Sequence, residues 1–184
     1  VKVLIVGGGG REHALAWRLR RDDPTIEIVA APGNPGIASL GRCVGVAATD
    51  IPVLASLARN ERPDYVLVGP EAPLAAGLVD RLRLDKIAVF GPTQAAAEIE
   101  SSKAFAKEIL ESAGVPTARA TRHKEAADAK RAARELGAPV VIKASGLAAG
   151  KGVVVAETLD EADAAIDRLL KLGEILVEEF MQGE

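Results

Sequence analysis

The chain has 184 residues, 48% of them hydrophobic and 27% charged, the balance of an ordinary globular protein of one medium or two small domains. Lys and Arg number 23 against 26 Asp and Glu, for a net charge of −3, and only 3% of residues are aromatic; with no basic stripe and few rings to stack on bases, single-stranded nucleic-acid binding is poorly supported and no nucleic-acid partner is expected. No apolar run approaches the ~20 residues of a membrane span, Val3–Val6 is too short for a signal-peptide core, and the single cysteine, Cys43, allows no internal disulfide and reads as a small core residue, so a cytoplasmic small-molecule protein is expected.

The first hundred residues alternate short apolar runs with amphipathic stretches. KVLIV predicts a buried strand, and Arg11–Arg20 a helix with Ala14, Leu15, Trp17 and Leu19 on its apolar side, Trp17 in the core. IEIVA predicts a second strand, CVGVAA a weak third, DYVLVG a fourth and KIAVFGP a fifth. Asp50 or Thr49 caps the helix that carries Pro52 in its first turn, and Pro73–Leu84 is predicted helical. Strands without alternation, separated by helices, predict a parallel sheet covered on both faces.

After Gly91-Pro92 the pattern changes. A mostly helical stretch follows, with a new helix starting at Ser101 or Ser102 and ending at Gly114. Thr117–Thr121 is a candidate strand, and Lys124–Leu136 a helix stopped by Gly137 and Pro139. PVVIKAS and VVVA lie too close together to hold a helix between them, which predicts an antiparallel hairpin. Thr158 and Glu161 form a capping box for a helix running to Lys171, and ILVEEF is the last strand. The fold class is α/β: a Rossmann-like parallel sheet, a linker helix and a smaller α+β unit.

VLIVGGGGREH places a glycine turn between a strand and a helix, the form of an anion site. A dinucleotide fingerprint needs a third small residue where Glu12 or His13 stands, and an acid where the second strand ends Ala30-Ala31-Pro32-Gly33. A phosphate holder without dinucleotide features remains, beside the plainer alternative of a tight turn. The turns Gly33–Gly36 and Gly69–Pro73 fall at strand ends of the same sheet, where open parallel sheets bind ligands. Asn34 and Glu71 could hold sugar hydroxyls or an amine there, and His13 a phosphate; simple turn chemistry or helix packing is the alternative for each. His123 reads as exposed.

The second glycine segment, GLAAGKG, joins the two hairpin strands. Its small residues let a backbone approach phosphates, while Lys143 on the strand, pointing inward, and Lys103 supply point charge. ILVEEF can read an adenine edge through backbone groups and an acid.

The stretches VLIVGGGGREHALAWRL, APGNPGIA, VGPEAPLAAGLVD, FGPTQAAAEIESSKAFAK, VIKASGLAAGKGVVVA and VEEFMQGE, in this order over the whole chain, resemble the glycinamide ribonucleotide synthetase (phosphoribosylamine–glycine ligase) family of the ATP-grasp superfamily. The resemblance implies a purine-biosynthesis ligase that joins 5-phosphoribosylamine to glycine through a glycyl phosphate, with ATP and Mg²⁺. It implies a Rossmann-like pre-ATP-grasp domain over 1–100, a linker helix and the start of the ATP-grasp over 101–121, and a small ATP-grasp subdomain over 122–184. It assigns Gly8, Gly9, Gly10, Arg11, Glu12, Asn34, Pro35, Gly36, Gly69, Pro70, Glu71 and Pro73 to the sugar phosphate. To ATP it assigns Lys103, Lys143, Gly146, Ala149, Gly150, Lys151, Gly152, Glu178, Glu179, Phe180 and Met181. Ser145 departs from the family, which usually has Asp there. Family members run to more than twice this length, and their metal-binding carboxylate and Asn and their glycine site lie beyond the matching part. The 184-residue chain is therefore expected to be inactive alone, with self-association through surface that the further part would cover. The alternatives are another ATP-grasp ligase, such as a purine carboxylase subunit, and a non-catalytic ribose-phosphate or nucleotide-binding module or half-protein needing a partner chain.

Overall fold

The structure, a computed structural model, describes residues 1–148 and 150–183. The chain divides into two compact units, Val1–Ala97 and Glu98–Glu184. In the first, β1 (Lys2–Gly7), α1 (Gly10–Asp22), β2 (Glu27–Pro32), α2 (Pro35–Ala38) and β3 (Arg42–Cys43) build one half of a sheet. The other half comes from α3 (Ile51–Glu61), β4 (Tyr65–Val68), α4 (Glu71–Ala75), α5 (Leu78–Leu84) and β5 (Val89–Phe90). Helix α6 (Gln94–Ser101) straddles the division.

The strands pair in parallel in the order β3-β2-β1-β4-β5. Both faces are covered, and the period of two along β1 shows it: Leu4 and Val6 enter one core with Leu54, Leu78 and Val79, whereas Val3 and Ile5 enter a second with Ala16, Ile28 and Ile37. A strand buried on both sides has no polar position to alternate with, so KVLIV reads as continuous apolar sequence. The chain leaves β1 toward β2 and β3, then returns to β4 on the other side. The carboxyl end of β1 is thus the switch point of the sheet, where a ligand crevice forms.

Several sequence expectations need correction. Trp17 is 49% exposed, with the Arg21 guanidinium 5.1 Å above its ring, and is not core. The buried stripe of α1 runs through Glu12 and Ala16 rather than through Ala14, Leu15 and Trp17, which are exposed. The predicted helix over Pro73–Leu84 is two helices, broken at Gly77, whose φ of +82° is left-handed. The third and fifth strands shrink to two residues each, both on sheet edges. His123 is half-buried, bonded to the Thr121 hydroxyl at 2.8 Å, and burial pushes its imidazole pKa down. Cys43 is free and only partly buried against the second core.

The second unit holds α7 (Lys103–Ser112), β6 (Ala120–His123), α8 (Ala126–Leu136), β7 (Val140–Ala144), β8 (Val153–Ala156), α9 (Leu159–Leu169) and β9 (Ile175–Glu179). Ser102 caps α7 by accepting from the Phe105 amide, and Gly137 terminates α8. Strand β6 starts three residues later than expected. The sheet order is β6-β9-β7-β8, antiparallel throughout, with β7 and β8 forming the expected hairpin. Val140, Ile142, Ile175 and Val177 face a core with Ala129, Ala133, Ile166 and Leu169 of α8 and α9. By the same alternation Val141, Lys143, Leu176 and Glu178 lie on the opposite face.

Glu61, at the end of α3, receives Lys2 at 2.8 Å and Arg42 at 2.6 Å. The Lys2 contact, then that of Arg42, holds its carboxyl below the usual glutamate range. A carboxyl whose pKa is lower folded than unfolded stabilises the fold at neutral pH, and that contribution is lost as pH falls through the folded value. The difference in urea midpoint between wild type and Glu61→Gln is therefore largest near neutrality and shrinks as pH falls below about 4.3.

Candidate functional site

Three turns meet at the switch point of the first unit, and at Gly8, Gly33, Gly36 and Gly69 they leave no room for a side chain. A Cβ on Gly8 would lie 2.4 Å from the Gly33 carbonyl oxygen, and one on Gly36 would lie 2.3 Å from the His13 ring. Asn34 stitches the first two turns together. Its amide donates to the carbonyls of Gly8 at 3.0 Å and Gly9 at 3.3 Å, while its oxygen caps α2 by accepting from the Ile37 amide at 2.9 Å. Pro35 follows as the first residue of α2, where its missing N–H leaves no bond unmade.

Glu12 binds the first turn to the third. It is 4% exposed, and its Oε2 accepts from the Gly9 amide at 2.6 Å. The same carboxylate fills the space beside Gly69, where a Cβ would sit 2.0 Å from Oε1. Here the position that a dinucleotide fingerprint reserves for a small residue is filled by a side chain turned back on the turn. Arg11 spans to the third turn from outside, donating to the Gly69 carbonyl at 2.5 Å and to Glu71 at 3.0 Å. The carboxyl of Glu71 is held below its usual range, first by its own backbone amide and then by Arg11. Pro70 precedes α4, and Pro73 is buried within it. Gly10 opens onto free space, with nothing within 4 Å of a Cβ built there. The approach to the amino end of α1, whose first-turn amides have no intrahelical acceptors, is thus open to an anion.

In the second unit, Lys103 and Lys143 line one cavity of about 210 Å³ with Lys107, Thr117, Leu176 and Glu178. Lys103 starts α7 and donates to the Gly146 carbonyl at 3.2 Å, so it already touches the glycine segment. Lys143 points away from the core, half-buried, and its ammonium meets Glu178. Ser145 anchors the base of the hairpin loop. Its hydroxyl accepts from the Ala104 amide at 3.1 Å, and its carbonyl accepts from the Lys103 amide at 2.8 Å. Serine thus supplies the acceptor that an aspartate could also supply there. Gly146 and Lys151 line a second cavity of about 340 Å³ with Leu147, Ala148 and Leu172. Gly150 has a left-handed φ of +79°, and Gly152 is buried, its missing Cβ leaving room for that of Ala148. Ala149 lies outside the described residues.

The two acids of ILVEEF part company. Glu178 is buried on the lysine face. Glu179 turns to the edge strand, where Arg119 donates its amide at 2.7 Å and its Nε at 2.6 Å. Those two donors, the amide first, hold the Glu179 carboxyl low. Phe180 and Met181 follow the strand and are exposed. Sequence reasoning missed Lys107, which is 8% exposed. The available signal was its spacing: Ala104 and Lys107 share the buried stripe of α7, a position where an unpaired lysine is rarely found. Among the described residues, no group of three or more His, Cys, Asp or Glu is placed to hold a metal ion, and no helix is long and apolar enough to cross a membrane.

A switch-point sheet followed by an antiparallel sheet with a glycine-loop hairpin and lysines on its open face defines the class of ATP-grasp enzymes. The chain belongs to the phosphoribosylglycinamide synthetase family: its N-domain profile matches residues 1–100 and its ATP-grasp (A) domain profile matches residues 101–184. The phosphoribosylamine–glycine ligase of Ralstonia nicotianae is 51% identical over 191 residues, covering 100% of this chain and 45% of the relative. The crystal structure of phosphoribosylamine–glycine ligase from Thermotoga maritima superposes with a TM-score of 0.79 at 27% identity, over 100% of this chain and 45% of that one. The biotin carboxylase domain of Hydrogenobacter thermophilus 2-oxoglutarate carboxylase, solved with MgADP, shares the fold at 24% identity and a TM-score of 0.77, over 98% and 44% of the two chains. The chain thus spans about 45% of the length of the relatives it matches.

Replacing the buried cap separates scaffold from surface. Glu12→Ala strands the Gly9 amide and empties the space beside Gly69, and is expected to cost about 1–2 kcal/mol in urea unfolding. Glu71→Ala removes a solvent-exposed ion pair and is expected to stay within about 0.5 kcal/mol.

Proposed function

We propose that this chain supplies the sugar-phosphate unit and one wall of the nucleotide site of a ligase that joins 5-phosphoribosylamine to glycine at the expense of ATP. The observation that carries this reading is the lysine-lined cavity of the second unit, within residues that match an ATP-grasp domain. The proposed division is a sugar-phosphate domain over 1–100, a linker over 101–121 and a small ATP-grasp subdomain over 122–184. Residues 8–12, 34–36 and 69–73 form the sugar-phosphate pocket. Gly10 and the start of α1 are open to a phosphate, and Asn34 and Glu71 lie in the flanking turns.

The chemistry of the donors in the second unit suits a polyphosphate. Two ammonium groups and a backbone free of bulky side chains can hold an anion by charge and close approach. Lys103 and Lys143 contact the phosphates, the segment 146–153 covers them, and Glu178 with residues 179–181 borders the base. Bound MgATP would supply the phosphoryl group that activates a carboxylate toward an amine. The role of the two lysines is to spread the charge of that group, an effect that strengthens where water is excluded. The cytoplasm is the compartment that suits such a reaction.

The two ligands separate cleanly in a calorimetric titration. Lys143→Ala is expected to weaken MgATP binding by at least about tenfold, the worth of one charge-assisted contact, and to leave ribose 5-phosphate unaffected. Gly9→Trp is expected to do the reverse. Loss of both ligands in either variant, with the fold intact, would contradict the assignment. Incubated alone with ATP, Mg²⁺, glycine and 5-phosphoribosylamine, the 184-residue chain is expected to form no glycinamide ribonucleotide, because it spans 45% of its relatives. Product formation above background would overturn that expectation.

A further inference from the structure

The second unit contains a buried ammonium that the nucleotide reading does not use. Lys107 lies one turn after Lys103 on α7, and three acceptors engage its ammonium. It reaches the Thr117 hydroxyl at 2.7 Å, the Ala118 carbonyl at 2.5 Å and Glu178 Oε1 at 2.8 Å. A lysine so engaged has nothing left to offer a ligand. Its effect falls on Glu178, whose side chain is 6% exposed. The other carboxylate oxygen, Oε2, meets the Lys143 ammonium as an ion pair without a directed hydrogen bond. One carboxylate therefore serves two cations unequally. Lys107 is 9% exposed and fixed on three sides, whereas Lys143 is 29% exposed, at the cavity rim.

We propose that Lys107 is a positioning residue: by pinning Glu178 and sharing its charge, it leaves the half-exposed Lys143 able to exchange that carboxylate for an anionic phosphate. The inference rests on the nucleotide reading above. With Lys107 present, the departure of Lys143 leaves Glu178 still paired. Without it, the same movement strands a bare buried carboxylate, which is strongly unfavourable. Lys143 would then be locked to Glu178 and withheld from the ligand. The arrangement makes Lys143 available without leaving it unpaired in the empty protein.

Two readouts on the 184-residue chain test this, one of them without any phosphate ligand. The first is the acylation rate of the Lys143 amine under trace acetic anhydride at fixed pH, read by peptide mass spectrometry against exposed Lys151. Lys107→Met removes the charge at similar length and is expected to slow Lys143 by at least about threefold, because the undivided carboxylate then holds its ammonium in the ion pair and away from the reagent. Glu178→Gln is expected to speed it, and Lys107→Arg to restore the wild-type rate. The second readout is calorimetric affinity for tripolyphosphate, expected to fall about tenfold in Lys107→Met, to tighten in Glu178→Gln and to recover in Lys107→Arg. An unchanged Lys143 rate in Lys107→Met with native circular dichroism overturns the proposal. If that variant fails to fold, an unchanged rate in Glu178→Gln overturns it instead. Should the rates shift as stated while wild type binds no tripolyphosphate, the nucleotide reading falls and the Lys107–Glu178–Lys143 coupling stands.

Discussion

A carboxylate taken out of water must find donors on its own chain, and each unit of this protein contains a turn or cavity shaped by one that does. Burying an unpaired carboxylate costs several kcal/mol, as much as a whole domain can spare. Glu12 meets that demand with the Gly9 amide, and in doing so fixes the turn after β1 beside Gly69. Glu178 meets it with Lys107 and Lys143, and in doing so ties α7 to the open face of the small sheet. Replacing either acid by a neutral residue would leave stranded donors or unfilled space. The geometry of both candidate sites follows from where these two charges had to be satisfied.

The two sites differ in what they offer. Around β1 the polar groups mostly satisfy one another: Asn34 bonds two turns, Arg11 reaches a carbonyl and Glu71, and Glu12 closes the interior. Only the outer side of Gly10 is open. On the lysine face the charges are in excess, with Lys103, Lys107 and Lys143 around a single carboxylate. An incoming polyanion relieves that excess, whereas at the glycine turn a ligand must fit a surface that is already bonded. Charge therefore favours a polyphosphate at the second site and shape decides at the first.

Much of this was legible in the sequence. The unbroken apolar run of β1 announced a strand covered on both faces, and the short span between VVIKA and VVVA forced a hairpin. Ser102, Asp50 and Thr158 cap helices as their positions indicated. What escaped was set by tertiary contacts. Trp17 carried the apolarity of α1, but the sheet took the face bearing Glu12 and Ala16, where that glutamate bonds the preceding turn. Lys107 went unnoticed, since nothing local reveals that Glu178, far along the chain, waits opposite it. Adjacent Glu178 and Glu179 read as a pair, yet strand alternation sends them to opposite faces. The roles of individual residues in the two sites came from resemblance to a family, since spacing alone left turn chemistry as an alternative.

The central claim is that nucleotide phosphates bind the lysine face of the second unit and sugar phosphate the glycine turns of the first. Amide chemical-shift mapping by nuclear magnetic resonance tests it most directly. On titration with MgATP, the account predicts perturbations confined to residues 103–107, 143–153 and 176–181, with ribose 5-phosphate moving residues 8–13, 33–37 and 69–73. Perturbation of the glycine turns by MgATP with a silent lysine face would contradict it.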